Sequence, residues 1–527
     1  MLRTDRNRNV GSGLVTAFLL LLLLAQTAAA GNVNGVVKLG TVIKDEDARN
    51  MAAIQETYNV YEGFSVSQVR LTGTSGSRGS FLLDLQEINR DSGKGLFTWR
   101  VQDLGKLTVR YGQHRQLYDA DGSVSSQRRD WRVGVHVTPS NRARITANFG
   151  YQTREGDRLG YPAGTTSVLG GNYDYNIFES DVEAEYGIGG GRRLAVGWRG
   201  TSFTDDLNDA AERSGNVLSV RASGPCYFFP ELLSHYVRAA YGKQELVEPG
   251  LDYTMSNFQY LGLLRPARDL QFKYRFLASR VEDEAETFQT DEFRNDFDLT
   301  WYHKYGRVFG GYGYVTRDDY TLTDYNDWRA GFALNHGKVA RLQVSYAASE
   351  KGDQEERTLL KDIEASRLKA SFKSEPVENL TLGLSYAERE REYTVLDVEA
   401  EGVRYSAFGR LERPGLGAVS VDYTYSEDDY QDRAAGFYAD NRSVSARVDL
   451  TAVRNLDLAA GLTYLNIGGD LDIEKSILMF EGEYTVARDY FVQVKYNVYN
   501  YDDYLLLDRY YTANVVWLNV GYKLSID

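Results

Sequence analysis

The chain has 527 residues, a formal net charge of −14, one cysteine and five histidines, which leaves no material for a disulfide framework or a thiolate-rich metal site. The acidic balance is the wrong sign for a nucleic-acid binder. Eight Pro against 50 Gly and 39 Tyr suits long strands, because proline cannot donate to a β-ladder.

Residues 1–30 have the form of a cleaved signal peptide. Arg3, Arg6 and Arg8 precede an apolar run over residues 14–25 (LVTAFLLLLLLA), and Ala28 and Ala30 supply an A-x-A cleavage pattern before Gly31. The run is too short to cross a bilayer. No cysteine follows it to carry a lipid anchor, and no later apolar stretch has the length of a membrane helix. The expectation is an exported protein whose residues 31–527 form one domain.

From Val37 onward the chain alternates apolar and polar residues, the period of a strand with one apolar face. Leu270, Phe272, Tyr274 and Phe276 alternate with Gln271, Lys273 and Arg275. Residues 378–390 (ENLTLGLSYAERE) place Leu380, Leu382, Leu384 and Tyr386 on one face, against Thr381, Gly383 and Ser385 on the other. The last strand sets Val516, Leu518, Val520, Tyr522 and Leu524 against Trp517, Asn519, Gly521, Lys523 and Ser525. Such segments recur about 26 times between Gly35 and Ile526. Their alternating cores run roughly 9–11 residues, the length a tilted strand needs to cross a bilayer.

The connections alternate in kind. One set is short and rich in Gly, Pro and basic residues, as in GIGGGRR (187–193), RPARD (265–269) and ERPGLG (412–417). The other is longer and acidic, as in VEDEAETFQTDEF (281–293) and YSEDDYQDRAAGFYADN (425–441). Tyr314, Tyr346, Tyr386, Tyr425 and Tyr464 close strands that run toward the acidic side, where an amphipathic ring suits the headgroup level. The predicted fold is all-β: a large antiparallel transmembrane β-barrel of the outer-membrane type, with short periplasmic turns and long acidic extracellular loops. The apolar face then meets lipid and the polar face lines a lumen. Because the alternation starts by Val37, no plug domain is expected. About 26 strands, each about 4.8 Å from the next and tilted by about 40°, close to a diameter of about 50 Å.

No catalytic set is expected. His114, His136, His235, His303 and His336 lack ligand spacing, there is no G-x-S-x-G, and GIGGG lies in a hairpin turn with no helix after it. Acidic groups at Asp119 and Asp121, and at Asp470, Asp472 and Glu474, offer hard oxygen ligands but match no EF-hand loop. The chain has no C-x-x-C-H and so holds no covalent c-type haem of its own.

Residues 81–119 read FLLDLQEINRDSGKGLFTWRVQDLGKLTVRYGQHRQLYD. A strand ending near Asp84 leads into the turn Arg90–Asp91–Ser92. A second strand, the Gly105–Lys106 turn and a third strand with Tyr111 follow. This resembles the start of MtrB/PioB-type barrels, the sheath subunits of porin–cytochrome electron conduits. That family often has an early cysteine pair, which is absent here. The resemblance implies an outer-membrane sleeve, not an enzyme, around a multihaem c-type cytochrome. The barrel would bind no cofactor directly, the haem sitting on the partner. A large diffusive or substrate-selective porin is the alternative. Partner contacts on the lumen face would fall among Lys273, Arg275, Asp422, Asp457, Gln493, Lys495, Asn497, Asn519 and Lys523, which alternation places there.

Overall fold

A computed structural model describes residues 32–526, apart from 49–61, 89–91, 118–124, 159–170, 209–210, 248–250, 285–287, 319–323, 338, 353–362, 394–397, 432–435 and 506–509. The signal-peptide segment, Arg90, Asp91, Asp119 and Asp121 lie outside the described residues.

Twenty-six antiparallel strands, β1 (Val33–Ala48) to β26 (Tyr510–Ile526), form one sheet. Each pairs with its neighbour in the chain. The ring closes where β1 pairs along its whole length with β26, from Val33↔Ile526 to Ala48↔Tyr511. Closure removes every sheet edge, so backbone polar groups at membrane depth find partners around the ring, with local bulges such as the one between Lys38 and Gly40. The 26 strands agree with the number of alternating segments.

Twelve connections lie on the side of the chain termini, eleven of them two or three residues long and one, 226–232, of seven. Several are two residues long, such as 378–379 between β18 (Ile363–Val377) and β19 (Leu380–Tyr393). Asn379 and Asn455 turn two of these corners with φ of 68° and 64°, a conformation asparagine tolerates. At other corners glycine opens the strand. Gly306 has φ 155°, and an added Cβ would collide with the Ala333 carbonyl oxygen.

On the opposite side the strands extend well past the length a bilayer requires. Much of the acidic sequence there is ladder. β21 (Gly417–Gln431) and β22 (Gly436–Val453) leave only 432–435 between them, and β13 (Leu270–Asp283) and β14 (Gln289–His303) leave 284–288. Backbone pairing continues as long as a neighbour is present, whether or not one face is apolar.

The two faces divide by chemistry. In β19, Leu382 and Leu384 are 41% and 59% exposed, while Gly383 on the other face is buried. The outward face carries Phe272, Phe297, Leu299, Trp301 and their equivalents around the ring. Near the long-loop end of this face the Tyr386, Tyr405 and Tyr425 rings stand in a row, with centroids 5.1 and 6.2 Å apart. The Tyr386 and Tyr425 hydroxyls donate to Glu388 (2.7 Å) and Glu427 (2.8 Å), two residues nearer the loops. An apolar ring below and a carboxylate above mark the membrane boundary. The face of ENLTLGLSYAERE that carries leucine is therefore the lipid face. This is a transmembrane barrel of the outer-membrane type.

Candidate functional site: the lumen wall

The polar face lines the lumen, and strand register groups its charges into arcs. One arc spans β13, β14, β15 (Gly306–Asp318) and β16 (Asp324–His336). Arg275 stands opposite Asp296, and Lys273 opposite Asp298. Gly313 and Gly311 come next and leave room for Asp327 and Arg329 beyond them to reach across. Asp296, with a fully buried side chain, lies 2.8 Å from Arg275 Nε and accepts from Arg294 Nε (3.0 Å) and Nη2 (2.9 Å). Arg294 continues to Asp327 (3.3 Å), while Arg329 and Lys273 lie 2.7 and 3.6 Å from Asp298. Each cation here has a carboxylate, and glycine at the central strand makes the reach possible.

A second ladder crosses β8 (Gly171–Gly189), β9 (Arg192–Asp205) and β10 (Arg213–Pro225). Arg221 lies 2.6 Å from Glu183 and 2.8 Å from Glu185, and Arg193 lies 3.0 Å from Glu185. Alongside, Lys106, Arg110, Arg132 and Arg199 line a recess of about 670 Å³ that also receives Glu179 and Asp181.

The closing seam is polar and joins the two ends of the chain. Lys38 of β1 reaches Gln493 (3.5 Å) and Glu483 (3.7 Å). Gln493 donates to Glu481 (2.7 Å) and accepts from Asn519 (3.4 Å), which itself accepts from Ser67 (2.7 Å). Phe491 is buried flat over Gly521, with Lys38 and Lys523 5.0 and 5.4 Å from its ring. Toward the long-loop end Val42, Tyr499, Tyr501, Tyr511, Ala513 and Val515 form a buried cluster on the lumen face.

All nine alternation-derived candidates fall on this face. They are not brought together. Lys273 and Arg275 sit in the ion-pair arc. Gln493, Asn519 and Lys523 belong to the seam, with Lys495 over the Trp517 ring (5.0 Å) and Asn497 donating to the Tyr499 hydroxyl (2.6 Å). Asp422 and Asp457 stand exposed to the lumen, Asp422 opposite Ser445 and Asp457 opposite Glu483. Sequence reading passed over Arg294, Asp296, Asp298 and Arg329, although their own alternation was the available signal.

Several of the other candidates have structural partners. Asp470 accepts the Tyr438 backbone N–H (2.6 Å), and Glu474 accepts the Tyr464 and Tyr504 hydroxyls (2.8 and 3.0 Å). His136 meets Thr146 (3.2 Å) on the lumen face, and His235 meets the Tyr260 hydroxyl (2.9 Å) on the outward face. Among the described residues no group of three or more His, Cys, Asp or Glu is placed to hold a metal ion. Cys226 lies in the turn 226–232 between β10 and β11 (Leu233–Leu246), beside exposed Tyr227, Phe228 and Phe229. A hydrogen bond with His235 and the backbone N–H groups of Phe229 and Phe228 bring its thiol down to about 7.

No protein-family model matches the chain, and no curated protein matches it in sequence. Solved structures of similar architecture include the ferric-catecholate import receptor Fiu from E. coli K12, at TM-score 0.48 and 10% identity, covering 93% of this chain and 81% of that one. The copper transporter OprC gives TM-score 0.49 at 10% identity, over 94% and 80% of the two chains. The ferric preacinetobactin receptor BauA from Acinetobacter baumannii gives 0.46 at 11%, over 93% and 80%. At this level of similarity nothing about function carries over, and the fold rests on the strand register itself.

Proposed function

We propose that this barrel is the sheath of a multihaem c-type cytochrome that carries electrons across the outer membrane of a Gram-negative-type cell, after export by its N-terminal signal. The observation that carries the reading is a closed ring of 26 strands joined, on the terminal side, by tight turns. At about 4.8 Å per tilted strand the ring measures about 50 Å across the backbone. Side chains leave roughly 35–40 Å for the lumen of a round section. A 100-residue domain, with a radius of gyration of about 13 Å, fits inside. An open pore of that width would drain the periplasm, so a protein occupant is the economical solution. The hydrocarbon core, about 30 Å thick, insulates. A chain of haems through the lumen supplies the path for electrons. The barrel contributes a lipid-facing exterior, a polar inner wall and no redox group of its own. The likeness of residues 81–119 to MtrB/PioB-type sheaths supports the same reading.

The test is purification of the tagged barrel from its native outer membrane in mild detergent, with haem staining and a visible spectrum. Co-purification of a stoichiometric haem protein is the expected result. A haem-free barrel that renders liposomes permeable to small solutes would replace the sheath with a porin. One observation favours that second reading: among the described residues, part of the lumen wall carries cations with no carboxylate partner.

A further inference from the structure

Across β17 (Ala340–Gly352), β18, β19 and β20 (Val398–Arg413) the lumen wall departs from the pattern of the ladders. Register sets Lys369, Ala387 and Arg404 side by side on three successive strands, and Arg367 beside Arg389 in the next row toward the long loops. One row the other way, Ser371, Ser385 and Ser406 stand abreast, the last two hydrogen-bonded to each other. Ser345 lies opposite Lys369. All of these residues except Arg389 line a recess of about 390 Å³ whose lining includes no Asp or Glu.

Among the described residues Arg389 is paired with Asp428, and Lys373 and Arg410 with Glu375 and Glu412. Among the described residues Arg367, Lys369 and Arg404 have no such carboxylate. In a chain of net charge −14 that is an unusual local excess. Like charges on adjacent strands repel. Here they converge over the small Ala387, above a shelf of hydroxyl donors. An ammonium, a guanidinium and serine hydroxyls around one recess are the donors that a tetrahedral oxyanion accepts from.

We propose that the β17–β20 recess binds a small oxyanion of the phosphate type, held by Lys369 and Arg404, supported by Arg367 and seated on the serine row. The recess opens to the lumen and not to lipid, so the ligand is a free anion in the water of the pore. This site does not depend on the sheath reading, because the barrel alone carries every donor.

The experiment is ³¹P NMR of inorganic phosphate with the purified full-length barrel, at low salt in a detergent without phosphate headgroups. The phosphate line should broaden, and sulfate should reverse the broadening. Lys369→Gln with Arg404→Gln removes two exposed charge contacts and should weaken binding roughly three- to tenfold. The double variant relieves repulsion, so it should keep the wild-type mobility of the folded barrel on unheated gels. Ser385→Ala, which alters no charge, should weaken binding measurably and serves as the test if the double variant does not fold. Lys273→Gln, which neutralises a lumen cation that has its own carboxylate, should leave the broadening unchanged. No broadening with the wild type, full broadening with the double variant or with Ser385→Ala, or an equal loss in Lys273→Gln would each overturn the site. Haem co-purification is unaffected by any of these results, so the two readings fail separately.

Discussion

Replacing Asp296 with Ala tests whether the lumen ladders hold the barrel together or merely decorate it. The Asp296 side chain has no exposed surface and faces Arg275 at 2.8 Å and Arg294 at 2.9–3.0 Å. Its loss leaves two guanidiniums, 34% and 25% exposed, without the carboxylate between them. Breaking a buried pair from one side costs about 3–5 kcal/mol, and an exposed pair is worth about 0.2–1 kcal/mol. The partial exposure of both arginines and the remaining Arg294–Asp327 contact place the expected loss between these, at about 2–3 kcal/mol. Reversible denaturant unfolding of the barrel in lipid vesicles, followed by tryptophan fluorescence, measures it. Adding Arg275→Leu to Asp296→Ala should recover part of the loss, since the second change removes the guanidinium whose ion pair was with Asp296, whereas Arg294 keeps Asp327. A loss of about 0.5 kcal/mol or less would refute the reasoning and class the arc with solvated surface pairs.

Three further outcomes follow from the same geometry. Leu384→Arg on the lipid face should cost about 2–4 kcal/mol in bilayers, whereas Thr463→Arg, on the lumen face opposite Ser445, should cost little; equal penalties would mean that the faces are assigned wrongly. Gly306→Ala forces a Cβ against the Ala333 carbonyl at φ 155° and should cost about 1–3 kcal/mol, read as a lower unfolding midpoint, while Gly337→Ala, with open space around it, should lack the steric part of that cost. The Cys226 thiol, held near 7, should react with maleimide at a rate that rises as pH passes through about 7. Removing the hydrogen bond in His235→Ala should move that rise to higher pH, and an unchanged profile would remove His235 as its cause.

How much was legible in the sequence follows from where the environment imposes a pattern. Between lipid and water, alternate residues must differ, so Leu380 to Tyr386 announced both a strand and its faces. Two-residue corners at Asn379 and Asn455, glycine at strand openings and tyrosine at strand ends mark the hairpins for the same local reason. Beyond the membrane both faces are wet and the pattern fades. The acidic stretches at 281–293 and 425–441 therefore gave no sign of how far the ladder continues through them. Alternation also put Lys273, Arg275 and Asn519 on the lumen face without saying whom they meet.

The sequence by itself determined the strand period, the lipid and lumen faces and the approximate strand number, because each is set within a few residues by solvent contrast and turn chemistry. Only the tertiary structure decided the closure of β1 on β26, the seam in which Lys38 and Ser67 meet Gln493 and Asn519, and the sorting of lumen charge into paired ladders and a basic recess whose lining holds no carboxylate. Those depend on register between strands, a relation between distant or neighbouring segments that no single strand contains.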